Sequence, residues 1–126
     1  MSDEDRRTVG ATERGRTVLK WLCDEQQIFT QEMDAYRFAI SLGLALGKRT
    51  PLAGRQTSFN VGSFDKDGTV ATVVQEFLSV DSTSVYRAAE ELAETGFEAM
   101  FHSIEAGEFR FADMFELAKK APHREP

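Results

Sequence analysis

A chain of 126 residues with 41% hydrophobic and 29% charged residues has the size and composition of a single globular domain, here residues 1–126. Its single cysteine, Cys23, excludes an internal disulfide and a zinc site with four thiolate ligands. The net charge of −6 argues against a protein that coats DNA with its whole surface. Without a signal-peptide pattern or a long apolar run, the sequence predicts a cytoplasmic protein with no membrane segment.

The charge is distributed unevenly along the chain. Residues 1–60 contain nine Lys and Arg against eight Asp and Glu, whereas residues 61–126 contain six against thirteen. The front half therefore carries a net +1 and the back half a net −7. Because phosphate is attracted to cations, any contact with nucleic acid is expected from the front half.

The first predicted element is the segment from Arg7 to Thr12, which is rich in β-branched residues and indicates a brief strand or a lead-in to a helix. Thr12 is expected to cap the first helix. The polar run Asp24–Gln27 should end that helix in a turn. Polar residues at 1–7 and 121–126 predict disordered tails.

The second predicted helix is the most hydrophobic in the chain. Thr30 is expected to cap its start. From Ala35 to Leu46 the helix is apolar almost all round, which predicts burial on every face and packing against a copy of itself. The spacing of Gly43 and Gly47 would let another helix backbone approach closely.

The sequence SLGLALGKRTPLAGR, residues 41–55, has the glycines and cations of a phosphate-binding loop. The pattern fails as a nucleotide site, because the glycine spacing is wrong and the helix precedes the loop instead of following it. Gly47 is better explained as the left-handed residue that ends the second helix, with Lys48 and Arg49 at the negative end of its dipole. No nucleotide is therefore expected.

The middle of the chain predicts a short strand at Thr57–Phe64, a turn, and a helix at Val70–Leu78. Acidic residues in and after the turn match part of a calcium-binding loop. Val70 stands where that loop needs a glycine, so we interpret the turn as the start of a helix.

The back half predicts two more helices. Asp81 or Ser82 should cap the longer one, whose apolar stripe is Tyr86, Ala89, Ala93, Phe97, Met100 and Ile104. Its outer face is expected to carry Glu90, Glu91, Glu94 and Glu98. Gly96 could divide this helix in two. The last helix is predicted at Phe111–Lys120, with Phe115 and Leu117 pointing inward.

Few residues suggest catalysis. His102 could share a helix face with Glu98 and Glu105 and hold a metal, although such a set is more often a solvated polar face. No pair of carboxylates is flanked by the apolar and basic residues that would separate their pKa values. We therefore expect a protein that is not an enzyme and has no cofactor.

Basic residues and hydroxyls in the front half are candidates for phosphate contact. The candidates are Arg6, Arg7, Arg14, Arg16, Lys20, Thr30, Lys48, Arg49 and Arg55. The order of a short strand, a helix and a Thr-capped helix is that of a ribbon-helix-helix regulator, in which two chains pair their strands in the major groove of DNA. The alternative is that these arginines pair with nearby acids.

The segment Met33–Gly54, followed by Phe59–Phe64 and VATVVQEFL, resembles small accessory proteins encoded beside DNA phosphorothioation (Dnd) modification and restriction systems. The matching residues are Phe38, Ala39, Leu42, Gly43, Gly47, Lys48, Arg49, Pro51 and Leu52. The segment Glu94–Glu98 is also similar to the C-terminal part of that family. The resemblance implies a role in anti-phage defence or in its regulation, and it supplies no catalytic residues.

The sequence thus predicts a small, mainly α-helical domain with one or two short strands and a front half similar to a ribbon-helix-helix protein. We expect a non-enzymatic accessory or regulatory protein that forms a homodimer or joins a larger defence complex, with weak contact to DNA. The alternative is a dimeric ribbon-helix-helix transcriptional regulator.

Overall fold

The computed structural model describes residues 7–78 and 85–119, and it confirms a mainly helical domain with one antiparallel pair of strands. A π-helical turn, Trp21–Glu25, continues directly from the first helix. The elements in chain order are β1 (Thr8–Ala11), α1 (Glu13–Lys20), α2 (Glu32–Leu46), β2 (Gln56–Asn60), α3 (Val61–Phe64), α4 (Thr69–Leu78), α5 (Val85–Glu105) and α6 (Phe111–Lys119).

The two predicted threonine caps have opposite outcomes. Thr12 caps α1 as predicted, because its hydroxyl oxygen accepts a hydrogen bond from the Gly15 amide at 3.2 Å. The prediction for Thr30 is wrong. Gln31 is the extended residue that precedes α2, and no side chain caps this helix. Thr30 therefore lies one position too early for its hydroxyl to reach the first free amides.

Strand β1 pairs with β2 from Thr8 opposite Asn60 to Ala11 opposite Gln56, and the register shifts after Val9. The predicted strand to Phe64 is too long, since β2 ends at Asn60 and α3 follows at once. This helical turn buries the Phe64 ring, which lies 5.3 Å from the Tyr36 ring.

Helices α2 and α5 form the centre of the core by close packing through glycine. A Cβ atom added at Gly43 would lie 2.1 Å from the Leu92 carbonyl oxygen, and one added at Gly96 would lie 2.2 Å from that of Ala39. Helix α5 runs unbroken from Val85 to Glu105, so Gly96 does not divide it. Gly47 makes no such contact and ends α2 with a left-handed φ of 67°, as predicted.

The sequence predicted that helix α2 is buried on every face, and this prediction is wrong. Ser41 is exposed and Leu46 is 42% exposed. The covered side contacts α5 and α6 of the same chain, so burial of this apolar helix does not require a second copy.

The acidic turn before α4 caps that helix. The Asp65 carboxylate accepts hydrogen bonds from the amides of Val70 and Ala71 at 2.9 and 3.0 Å. Asp67 accepts one from the Thr69 amide at 3.1 Å, and this bond lowers the pKa of the Asp67 carboxyl. Several predictions lie outside the described residues: Asp81 or Ser82 as a cap, the side chains of Phe115 and Leu117, and Lys120.

Candidate functional site: the carboxylates of helix α5

Helix α5 contradicts the prediction that its glutamates all lie outside the protein. Glu90 is only 1% exposed and Glu94 only 4% exposed. Residues four apart lie on the same face of a helix, so Glu90, Glu94 and Glu98 form one row. The row is covered by β1, α1 and Arg55 of the same chain.

Glu90 lies at the buried end of this row. Its carboxylate accepts hydrogen bonds from the Arg55 guanidinium and, at 2.8 Å, from the Gly10 amide. Arg55 also donates to the carbonyl and hydroxyl oxygens of Thr8, at 3.0 and 2.9 Å. Through these charge-assisted hydrogen bonds, Glu90 of α5 is joined to β1 and to Arg55, the residue that precedes β2.

Two other glutamates of α5 pair with arginines nearer the surface. Glu91 lies 2.9 Å from the Arg49 guanidinium, and Glu98 lies 3.6 Å from that of Arg14. The Arg14 guanidinium also lies over the Phe101 ring, 4.4 Å from its centre, which is the geometry of a cation–π contact.

Glu94 has a different environment. It shares the Thr12 hydroxyl between its two oxygens at 3.1 and 3.2 Å, and no Lys or Arg within the described ranges forms an ion pair with it. Burial raises the pKa of Glu94 from 4.5 to about 7. The Thr12 hydroxyl and the positive charge of Arg14 oppose this rise, and the charge and hydrogen bond of Glu98 add to it. A carboxyl group with this pKa can take up or release a proton near neutral pH.

An open groove of about 580 Å³ lies against Glu94, between α1, α5 and the residues that follow Arg49. Its lining combines hydroxyls, charges and one aromatic ring. The lining includes Thr12, Glu13, Arg14, Thr50, Glu98 and Phe101. The sequence predicted that no two carboxylates share apolar and basic neighbours. In the structure, Glu94 and Glu98 line one groove with Arg14 and Phe101.

Glu94 should make the stability of the protein depend on pH. Its pKa is higher in the folded chain than its ordinary 4.5, so the folded state binds this proton more tightly than the unfolded state. The free energy of unfolding should fall by about 2 kcal/mol between about pH 4.5 and pH 7, a value below the full shift because the groove admits solvent. Urea unfolding followed by Trp21 fluorescence measures this fall.

The variant Glu94→Gln is the control for this pH dependence. It keeps the size of the side chain and cannot ionise, so its unfolding free energy should be nearly flat between about pH 4.5 and pH 7. A variant with the same slope as the natural protein would show that another group causes the change.

The predicted phosphate contacts are divided by the fold. Arg14, Arg49 and Arg55 each meet a carboxylate of α5. Arg16 and Lys20 instead lie one turn apart on α1 and line a pocket of about 200 Å³ with Glu32, Thr57 and Ser58. Of the remaining candidates, Arg7, Thr30 and Lys48 are exposed, and Arg6 lies outside the described residues.

The strand–helix–helix order of a ribbon-helix-helix protein is present, but β1 pairs with β2 of its own chain. At Gly10 the amide donates to Glu90, and the carbonyl accepts the Tyr36 hydroxyl at 2.6 Å. Val9 and Ala11 are buried. Strand β1 therefore has no free hydrogen-bonding group at Gly10 for a second chain, and Val9 and Ala11 cannot reach DNA bases.

His102 is exposed, and its Nε2 atom lies 3.9 Å from Glu98 Oε1. No group of three or more potential metal ligands lies together within residues 7–78 and 85–119. Among the helices of the same ranges, none has the length and apolar character needed to cross a membrane. Comparison of the chain with models of protein families, with characterised proteins and with solved structures finds no match.

Proposed function

We propose that this protein is a non-enzymatic accessory or regulatory component of a DNA phosphorothioation-linked defence system and that it acts through protein–protein contacts. The defence context is supported by the resemblance of Met33–Gly54 to accessory proteins of such systems. The choice of protein contact over DNA contact is supported by one observation. Arg14, Arg49 and Arg55, which the sequence offers to phosphate, lie against carboxylates.

The physical argument concerns the electrostatic potential that a phosphate would meet. A guanidinium beside a carboxylate attracts a distant anion weakly, because the two charges largely cancel. The chain as a whole carries a charge of −6, which repels DNA. Folding thus brings the acidic back half onto the basic front half and removes much of the charge separation seen along the sequence.

A weak contact with DNA remains part of the proposal. Arg16 and Lys20 form no ion pair within the described part of the chain, and they share a pocket with the hydroxyls of Thr57 and Ser58 and the carboxylate of Glu32. Two phosphate contacts would give a shallow salt dependence, about two log units of affinity per log unit of salt. Such contact could orient the protein on DNA that a partner already holds.

The test mixes the purified protein with purified modification and restriction proteins of a phosphorothioation system and measures complex formation by analytical ultracentrifugation at about 0.15 M salt. We expect a complex with at least one of them and weak binding to plain or phosphorothioated duplexes. Failure to form any complex, together with tight and salt-sensitive binding to one duplex sequence, would favour the transcriptional regulator instead.

A further inference from the structure

Glu94 differs from its neighbours Glu90, Glu91 and Glu98 on α5, because they have arginine partners. Glu90, Glu91 and Glu98 each have an arginine from the front half of the chain as an ionic partner. Glu94 is 4% exposed and forms no ion pair with a Lys or Arg of the described residues; its hydrogen-bonding neighbours there are the Thr12 hydroxyl and the Glu98 carboxyl group. A carboxylate offers about four acceptor positions, so these two neighbours leave some of them unused.

Glu94 lines the groove of about 580 Å³ between α1, α5 and the residues that follow Arg49. The charged groups around Glu94 there are Glu13, Arg14 and Glu98, which leave an excess of negative charge. Arg14 already lies over Phe101 at the edge of the groove, so this surface accommodates a guanidinium on an aromatic ring. The volume of the groove is large enough to admit another long, cationic side chain.

We propose that this groove binds a lysine or arginine side chain from a basic segment of a partner protein, whose cation pairs with Glu94. The inference rests on the proposed function, because it states the chemistry of the partner through which the protein acts. The partner's cation would occupy for Glu94 the place that Arg55 has for Glu90 and Arg49 has for Glu91. Thr12 and Thr50 would offer hydroxyl oxygens to its remaining N–H groups.

Binding of a cation at this position should release a proton. Glu94 with a pKa of about 7 is close to half protonated at neutral pH, and a nearby positive charge favours its ionised form. At pH 7 we therefore expect about half a proton to be released for each segment bound. A contact elsewhere on the acidic surface would attract the same segment without this release.

The experiment is isothermal titration calorimetry with the peptide Gly-Arg-Gly-Arg-Gly, its ends blocked, against a matched peptide with glutamine for arginine. Titrations in phosphate and in Tris buffers give the number of protons released. We expect binding of the arginine peptide only, with proton release, and about a tenfold loss of affinity for Glu94→Gln. The matched variant Glu91→Gln removes a carboxylate that already has an arginine partner, and it should change the affinity less than about twofold.

Each outcome decides the inference separately from the proposed function. If the natural protein bound the peptide without releasing protons, the inference would be overturned. This result does not depend on whether the Glu94→Gln variant folds. Equal loss of affinity in both variants would overturn it too, as would spermidine binding as tight as that of the peptide. A defence protein that forms a complex unaffected by Glu94→Gln would leave the proposed function standing and reject this groove as the contact.

Discussion

Replacement of Gly96 by alanine should lower the free energy of unfolding by about 3 kcal/mol, and Gly43→Ala should have a similar effect. The added Cβ atom at position 96 would lie 2.2 Å from the Ala39 carbonyl oxygen and 2.9 Å from its Cα atom. These are backbone atoms of a packed helix, so they cannot rotate away as a side chain would. Helices α2 and α5 would have to separate, and their buried side chains would lose contact with one another.

The matched control for these variants is Gly62→Ala. Gly62 is also helical, but a Cβ atom there would meet no atom within 4 Å. The unfolding free energy of the Gly62→Ala variant should differ from that of the natural protein by less than about 1 kcal/mol, mostly through helix propensity. Urea unfolding followed by circular dichroism measures all three variants. If Gly96→Ala proved as stable as Gly62→Ala, the close approach of α2 and α5 would be wrong.

Features set by neighbouring residues could be predicted from the sequence. The Thr12 cap and the left-handed Gly47 depend on backbone groups within four residues, and both were predicted. The positions of α4 and α5 follow from the helical spacing of their apolar residues. Thr30 shows the limit of this reasoning. Several polar residues stand near the start of α2, and local preference alone places the cap to within only a residue or two.

The partner of α2 could not be predicted in the same way. An apolar helix must be covered, but its composition does not say by what. The sequence suggested a second copy. Helix α5 of the same chain covers one side of α2, and pairing with a second copy stays a prediction. The glycine contacts connect Gly43 to Leu92 and Gly96 to Ala39, across about half the chain, and no local pattern contains that information.

The site was missed for a related reason. Glutamate is seldom buried, so Glu90 and Glu94 were placed on the surface. Their burial depends on groups far away in the sequence, with Arg55 35 residues from Glu90 and Thr12 82 residues from Glu94. One signal was present: alanines and a glycine lie among the glutamates of α5, and small residues on several sides of a helix indicate that neighbouring elements cover more than one face.

The second large effect is expected from the Arg55→Met variant, which should lower the free energy of unfolding by about 3 kcal/mol. The Glu90 side chain is 1% exposed, whereas Arg55 is 24% exposed. Removal of the guanidinium would leave the Glu90 carboxyl group shielded from water, with the Gly10 amide still donating to it but without the counter-charge that Arg55 supplies. The loss should therefore exceed what the hydrogen bonds of Arg55 contribute by themselves.

The double variant Arg55→Met/Glu90→Gln separates these two causes. A glutamine at position 90 can still accept the Gly10 hydrogen bond without burying a charge, so the double variant should recover more than half of the lost stability. Arg49→Met is the matched control, because its partner Glu91 is 14% exposed, and the loss there should be below about 1 kcal/mol. Urea unfolding of all variants at one pH gives the coupling energy. If Arg55→Met and Arg49→Met lost equal unfolding free energy, water would reach Glu90. Glu90 would then not join β1 to α5 as a buried group.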